Sequence, residues 1–218
     1  MSIIEPQIIA LTSEWLVVNK PAGWLTIPDR HSANSESPVR PQVLSEWAKE
    51  KEGEAWVIHR IDRETSGVVL FARSKEAHQK ANLWFQNRKM KKIYLCLASG
   101  VPSLPVMKIT TAIHGAPAIT QVEIRERFQE GFYGRVSLGT GRRHQIRIHL
   151  ASLGFPLWGD LTYRGSSKIP FLTGPLSIER LALHAFSLEL PSKERFEAPI
   201  PGDFQTWLDR LKQEGQRV

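Results

Sequence analysis

Short apolar runs of strand length dominate this chain, and polar, Gly- or Pro-bearing stretches separate them. Residues 14–20 (EWLVVNK) read as a short buried strand stopped by Pro21 and Gly23. A polar loop with three prolines and several serines follows over 28–41. Residues 42–51 then suit a short helix, with Val43, Leu44 and Trp47 on one face. Residues 56–58 and 68–71 are apolar and flank HRIDRETSG, which places residues 59–67 on a loop between two strands. Ser74 is a predicted N-cap for a helix through about Arg88, because Ala77, Ala81, Trp84 and Phe85 recur at helical spacing. Residues 93–98 form another strand.

Beyond Gly100 strand signals prevail. Residues 120–126 and 133–138 read as strands with Gly131 in the turn between them, and 143–149 follows a Gly-Thr-Gly turn as a further strand. Residues 181–190 are a late strand, and Trp207, Leu208 and Leu211 mark a C-terminal helix. Strands outnumber helices and do not alternate with them, so the expected class is α+β with a large, mostly antiparallel central sheet, flanking helices and a cleft. Residues 1–218 are expected to form a single domain.

Composition narrows the setting. The chain is 41% hydrophobic and 23% charged, an ordinary globular balance. No apolar run approaches the roughly 20 residues of a transmembrane helix, and the first residues lack the pattern of a signal peptide. One cysteine, Cys96, allows neither an internal disulfide nor a cysteine metal cluster and reads as a buried strand residue. The cytoplasm is the expected compartment, with no membrane partner. A net charge of +7 and a pI near 9.7 suit a polyphosphate partner, although charge alone does not name one.

Two segments carry candidate chemistry. His59, Arg60, Asp62, Arg63, Glu64, Thr65 and Ser66 fall within one short loop. Asp62 could simply order a turn, with Thr65 and Ser66 satisfying backbone groups. The surrounding guanidinium groups also favour an ionised carboxylate, the form that nucleophilic or acid–base work demands. The second segment, GTGRRHQIRIHL, holds Arg142, Arg143, His144, Gln145, Arg147 and His149. As a strand, residues 145–150 would put Gln145, Arg147 and His149 on one face and Ile146, Ile148 and Leu150 on the other. A solvated basic edge strand is the plain alternative. His144 and His149 make a poor metal pair: they face opposite sides of a strand and sit about 140° apart on a helix.

HRIDRETSGVVLFAR resembles the signature of the RluA-type pseudouridine synthases, with Ile61 where Leu is more usual. Residues 17–28 (VVNKPAGWLTIP), 92–100 (KIYLCLASG), 139–163 (GTGRRHQIRIHLASLGFPLWGDLTY) and the strand LALHAFSLEL resemble its other blocks, in the family's order. The resemblance implies the pseudouridine synthase fold and an isomerase acting on uridine in ribosomal or transfer RNA, with no cofactor and no metal. It makes Asp62 the essential carboxylate, Arg147 its cationic partner, and Tyr94 the ring that packs on a flipped uracil. It places Arg60 in the space the base vacates, and Arg142, His144 and Gln145 near the RNA backbone or supporting the cleft. Gly141 and Gly159 would serve backbone turns. Arg164 departs from the family, standing where a small residue is common. No S4-type RNA-binding domain is recognisable, so phosphate contacts are expected from Arg60, Arg142, Arg143 and Arg147, with Lys91 and Lys92 near Tyr94. The competing readings are an RNA-binding module without catalysis and a carboxylate glycoside hydrolase, which needs two acting carboxyls. A monomer is expected, since no heptad pattern or second hydrophobic face is present.

Overall fold

The computed structural model describes residues 4–29, 41–171 and 173–215 of the 218. The stretch of the expected polar loop over 30–40 lies outside them. The fold is α+β with a large, mostly antiparallel sheet, as the strand-rich pattern implied. By contact the chain divides into two compact units, residues 1–90 with 187–199 and residues 91–186 with 200–218.

In the first unit, β1 (Gln7–Leu11) pairs with β2 (Trp15–Lys20), which pairs with β4 (Ser66–Ala72); the two-residue β3 (Trp56–Val57) also pairs with β4. Every residue of β4 is buried, which explains an apolar run without alternation. Helix α1 (Leu44–Glu52) begins two residues later than its pattern implied and buries Leu44 and Ala48. Helix α2 (Lys75–Gln86) starts where expected: the Ser74 hydroxyl accepts a hydrogen bond from the Ala77 N–H at 3.1 Å. It stops short of Arg88, whose φ of +55° is left-handed. Ala77 and Ala81 join Trp15, Val17, Val68 and Leu70 in this unit's core, with Trp84 and Phe85 against its margin.

In the second unit β5 (Lys91–Ser99), β8 (Gly131–Leu138), β7 (Thr120–Phe128) and β6 (Val106–Ile109) lie side by side, each antiparallel to its neighbour. Gly131 was expected in the β7–β8 turn but opens β8 opposite Ser99. A Cβ there would sit 2.1 Å from the Ala98 carbonyl oxygen, so no side chain fits. A small ribbon, β9 (Lys168–Ile169) with β10 (Leu176–Ser177), follows. Strand β11 (Leu183–Glu189) begins in this unit, and its last three residues pair with β12 (Arg195–Glu197) in the first. Helix α4 (Gly202–Gly215) buries Phe204, Trp207, Leu208 and Leu211, a stripe at helical spacing.

The clearest departure is residues 143–149. They do not form a strand; helix α3 (Gln145–Ser152) occupies this stretch. The alternation of Gln, Arg and His with Ile and Leu imitated a period of two. Ile146 and Leu150, four residues apart, both reach the core beside Phe132 and Val136, whereas Ile148 does not. Gln145, Arg147 and His149 are buried too, each held by specific partners.

Candidate active site

Residues 58–65 connect β3 to β4, and the strands fix both ends of this loop. A second layer of hydrogen bonds pins its middle to residues 20–26. The Thr26 hydroxyl donates to the Ile61 carbonyl at 3.0 Å and accepts from the Ile61 N–H at 3.3 Å. Gly23, left-handed at φ +88°, donates its N–H to the Arg63 carbonyl at 2.9 Å, and Arg63 Nε donates back to the Gly23 carbonyl at 3.0 Å. Lys20 is fully buried, and its Nζ donates to the carbonyls of Pro21, Trp24 and Arg63 at 3.0, 2.8 and 2.9 Å. A backbone bond from the Thr65 N–H to the Asp62 carbonyl closes the turn. Asp62 thus stands half-buried between two anchored neighbours. His59 Nε2 accepts the Leu70 N–H at 3.0 Å, so in the neutral ring the proton sits on Nδ1; the ring stacks on Phe85 at 5.2 Å. Arg60 is exposed, and among the described residues nothing pairs with it.

The second unit gathers the other predicted residues around α3. Arg147 makes a two-pronged pair with Asp160: Nε to Oδ2 at 2.7 Å and Nη2 to Oδ1 at 2.8 Å. The pair is almost wholly buried. The guanidinium carbon of Arg147 also lies 5.0 Å from the centre of the Tyr163 ring, whose hydroxyl meets His144 Nδ1 at 3.0 Å. His144 occupies the α3 N-cap in a left-handed conformation, φ +54°. Arg147, Asp160, Tyr163 and His144 are thereby locked into one cluster.

Gln145, expected near RNA or in support of the cleft, is buried. Its amide oxygen accepts from the Thr140 hydroxyl at 2.7 Å and the Arg142 N–H at 3.0 Å; its amide nitrogen donates to the Ile119 carbonyl at 2.9 Å and to Thr120 Oγ1 at 3.0 Å. All four positions are filled, so it fastens the Gly-Thr-Gly turn to β7. His149 extends this network. Its Nε2 faces the Thr111 carbonyl at 2.9 Å, which can only accept, so in the neutral ring Nδ1 accepts from the Thr120 hydroxyl. It is a satisfied core histidine.

Arg142 and Arg143 are exposed; Arg142 Nε donates to the Pro117 carbonyl at 3.2 Å, and Arg143 has no partner among the described residues. Tyr94 lies on β5 opposite Val136, half-buried against the core. Lys92, two residues earlier, has its pKa lowered by burial. Gly159 serves a turn as expected, at φ +77° with the Arg180 carbonyl oxygen 2.0 Å from where a Cβ would stand. Gly141 is not left-handed and only leaves ordinary contact distance to Lys92 Nζ.

Sequence reasoning gave no role to Lys20, Thr26, Thr120, Asp160 or Tyr163. Four of them sit inside the quoted blocks, Lys20 and Thr26 in VVNKPAGWLTIP and Asp160 and Tyr163 in GDLTY; for Lys20 and Asp160, burial of charge is the signal those letters could have raised. Among the described residues no group of three or more His, Cys, Asp or Glu could hold a metal ion, and no helix is long and apolar enough to cross a membrane.

The sequence profile described as RNA pseudouridylate synthase matches residues 14–152. Ribosomal large subunit pseudouridine synthase D of Pseudomonas aeruginosa is 30% identical, the alignment covering 97% of this chain and 73% of that protein. The protein of the same name from Haemophilus ducreyi is 32% identical, covering 98% and 74%. Among solved structures, human RNA pseudouridylate synthase domain containing 1 superposes with a TM-score of 0.70 at 26% identity, over 95% of this chain and 87% of that one. Human RNA pseudouridylate synthase domain containing 4 shares the fold at a TM-score of 0.72 and 23% identity, over 94% and 92%.

Proposed function

The chain belongs to the family of RNA pseudouridylate synthases, isomerases of uridine in RNA, and from that premise we propose that Asp62 carries the reaction. The observation that supports this most is the anchoring of Ile61 and Arg63, which fixes the carboxylate between them. The isomerisation breaks the N1–C1′ bond of uridine, turns the base and joins C5 to C1′. The C5 hydrogen is lost and N1 gains one, so nothing is oxidised or hydrolysed. An ionised carboxylate serves as nucleophile at C6 or C1′, or assists removal of a sugar proton. Each route needs the uridine out of its stack, at a cost of a few kcal/mol. Tyr94 supplies a ring for the uracil, and Arg60 fills the space it leaves. Arg147 is the cation that orients the site, held in line by Asp160 and Tyr163. Arg142, Arg143 and His144 line the RNA path, and Gln145 supports it. The two units act as one catalytic domain, a reading favoured by a family match that runs through both.

We place the substrate in ribosomal RNA, on the names of the relatives, with transfer RNA as the other outcome of the test. The enzyme acts as a cytoplasmic monomer. The test follows tritium release from RNA carrying 5-tritiated uridine, because C5 must shed its hydrogen. Wild-type protein should release label from ribosomal RNA, and Asp62→Asn should release none while still binding RNA. Release by Asp62→Asn near the wild-type rate would remove Asp62 from the reaction.

A further inference from the structure

Residues 160–165 form a tightly closed turn that holds one large apolar side chain out in solvent. The turn is fastened at its base, where the Gly159 N–H donates to the Ser166 carbonyl at 2.8 Å and the Gly165 N–H to the Asp160 carbonyl at 2.8 Å. Asp160 is buried against Arg147, and its Oδ1 also accepts the Tyr163 N–H at 3.2 Å. Gly165 is packed so closely that a Cβ would lie 2.1 Å from the Leu157 carbonyl oxygen. On this rigid mount Leu161 is 74% exposed and joins none of the apolar clusters. Three residues on, Arg164 is exposed in a left-handed conformation, φ +65°, which an arginine adopts only at a cost. No partner satisfies its guanidinium among the described residues. The inner side of the same turn carries Tyr163, in contact with Arg147 and His144.

We propose that this turn is a second RNA-contacting element: Leu161 wedges against a base next to the target uridine, and Arg164 holds the adjoining phosphate. The proposal rests on the RNA reading above. An apolar side chain inserted at a base step offsets part of the unstacking cost, and it does so only from a mount that does not yield. A cation beside it recruits the phosphate between the two nucleotides. An exposed leucine alone would be ordinary. A strained arginine three residues away, on a turn shared with the Arg147 cluster, makes this one different.

The experiment uses the full chain and an RNA hairpin that carries 2-aminopurine beside the target and 5-tritiated uridine at it. Wild-type binding should raise 2-aminopurine fluorescence as the base unstacks. Leu161→Ser should reduce that rise to the part due to the flipped uridine and increase KM about tenfold, the scale of one base contact, with the effect on KM rather than kcat. Its melting temperature should change little, since Leu161 is mostly exposed and outside the apolar clusters. Arg164→Gly should raise the melting temperature by relieving the backbone while weakening RNA binding and flattening its salt dependence. An unchanged fluorescence rise and KM in Leu161→Ser would overturn the wedge. A stability gain in Arg164→Gly with undiminished RNA affinity would overturn the phosphate contact. Self-association that Leu161→Ser abolishes, with RNA binding intact, would also sink the proposal. Fluorescence reads binding without turnover, so a wild type that releases no tritium speaks against the isomerase reading and still leaves the contact tested.

Discussion

Asp160→Ala should be among the most damaging single changes outside the Asp62 loop, because it removes a buried carboxylate that makes two short bonds to Arg147. The Arg147 side chain is 10% exposed and the Asp160 side chain 0%, so water cannot take over the lost bonds. Breaking such a pair from one side costs about 3–5 kcal/mol. At roughly 2 °C per kcal/mol for a chain of this size, the transition should fall by about 6–10 °C. The cost comes from taking two short carboxylate bonds away from a buried guanidinium, so removing both charges should recover most of it. The double variant Arg147→Met with Asp160→Leu fills similar volume without charge and should unfold close to wild type while lacking activity. Thermal and urea unfolding followed by tryptophan fluorescence completes a double-mutant cycle, with an expected coupling of at least about 3 kcal/mol. A loss below about 1 kcal/mol in Asp160→Ala, or a double variant that loses the sum of the two singles, would refute the reasoning.

Lys20→Met should lower stability by at least about 2 kcal/mol, since three carbonyls lose a buried donor. It should also slow single-turnover isomerisation, because one of the bonds that hold Arg63 next to Asp62 is lost; unfolding curves and quench-flow rates check the two effects separately. Asp203 is pushed up by burial, but hydrogen bonds and charge from Arg180 outweigh this and leave its pKa below the usual 3.8. A depressed folded value means that its contribution is present above that ordinary value and is lost as pH falls through the folded one. The stability gap between wild type and Asp203→Asn should therefore be open at pH 7 and close below about pH 4. With Asp203 43% exposed the gap should be under about 1 kcal/mol, as urea titrations across pH would show.

Local signals sufficed where one residue type dictates one geometry. Ser74 caps α2 because a hydroxyl before an amphipathic run is the standard way to satisfy an N-terminal N–H. The HRIDRETSG loop was legible because two apolar runs bracket it. Helix α3 was not, since its polar residues are buried by partners distant in sequence: Thr120 for His149 and Gln145, Asp160 for Arg147. Such pairings reverse the rule that polar letters face water, and alternation then says nothing of period. The same blindness concealed Lys20, which joins the nearby carbonyls of Pro21 and Trp24 to that of Arg63, far along the chain. Strand β1 was overlooked because its burial is slight and no alternation marks it.

Cys96 gives this fold a practical property. It is the sole cysteine, lies fully buried on β5, and burial pushes its thiol up to about 12. At neutral pH it is both protonated and occluded, so alkylating reagents should meet no reactive thiolate in the native protein. A cysteine introduced on the surface, at Leu161 for instance, would then take a fluorophore or spin label without background from the native one. Slow labelling of Cys96 itself would time the rare openings of this strand from its neighbours, an internal clock for the second unit's opening.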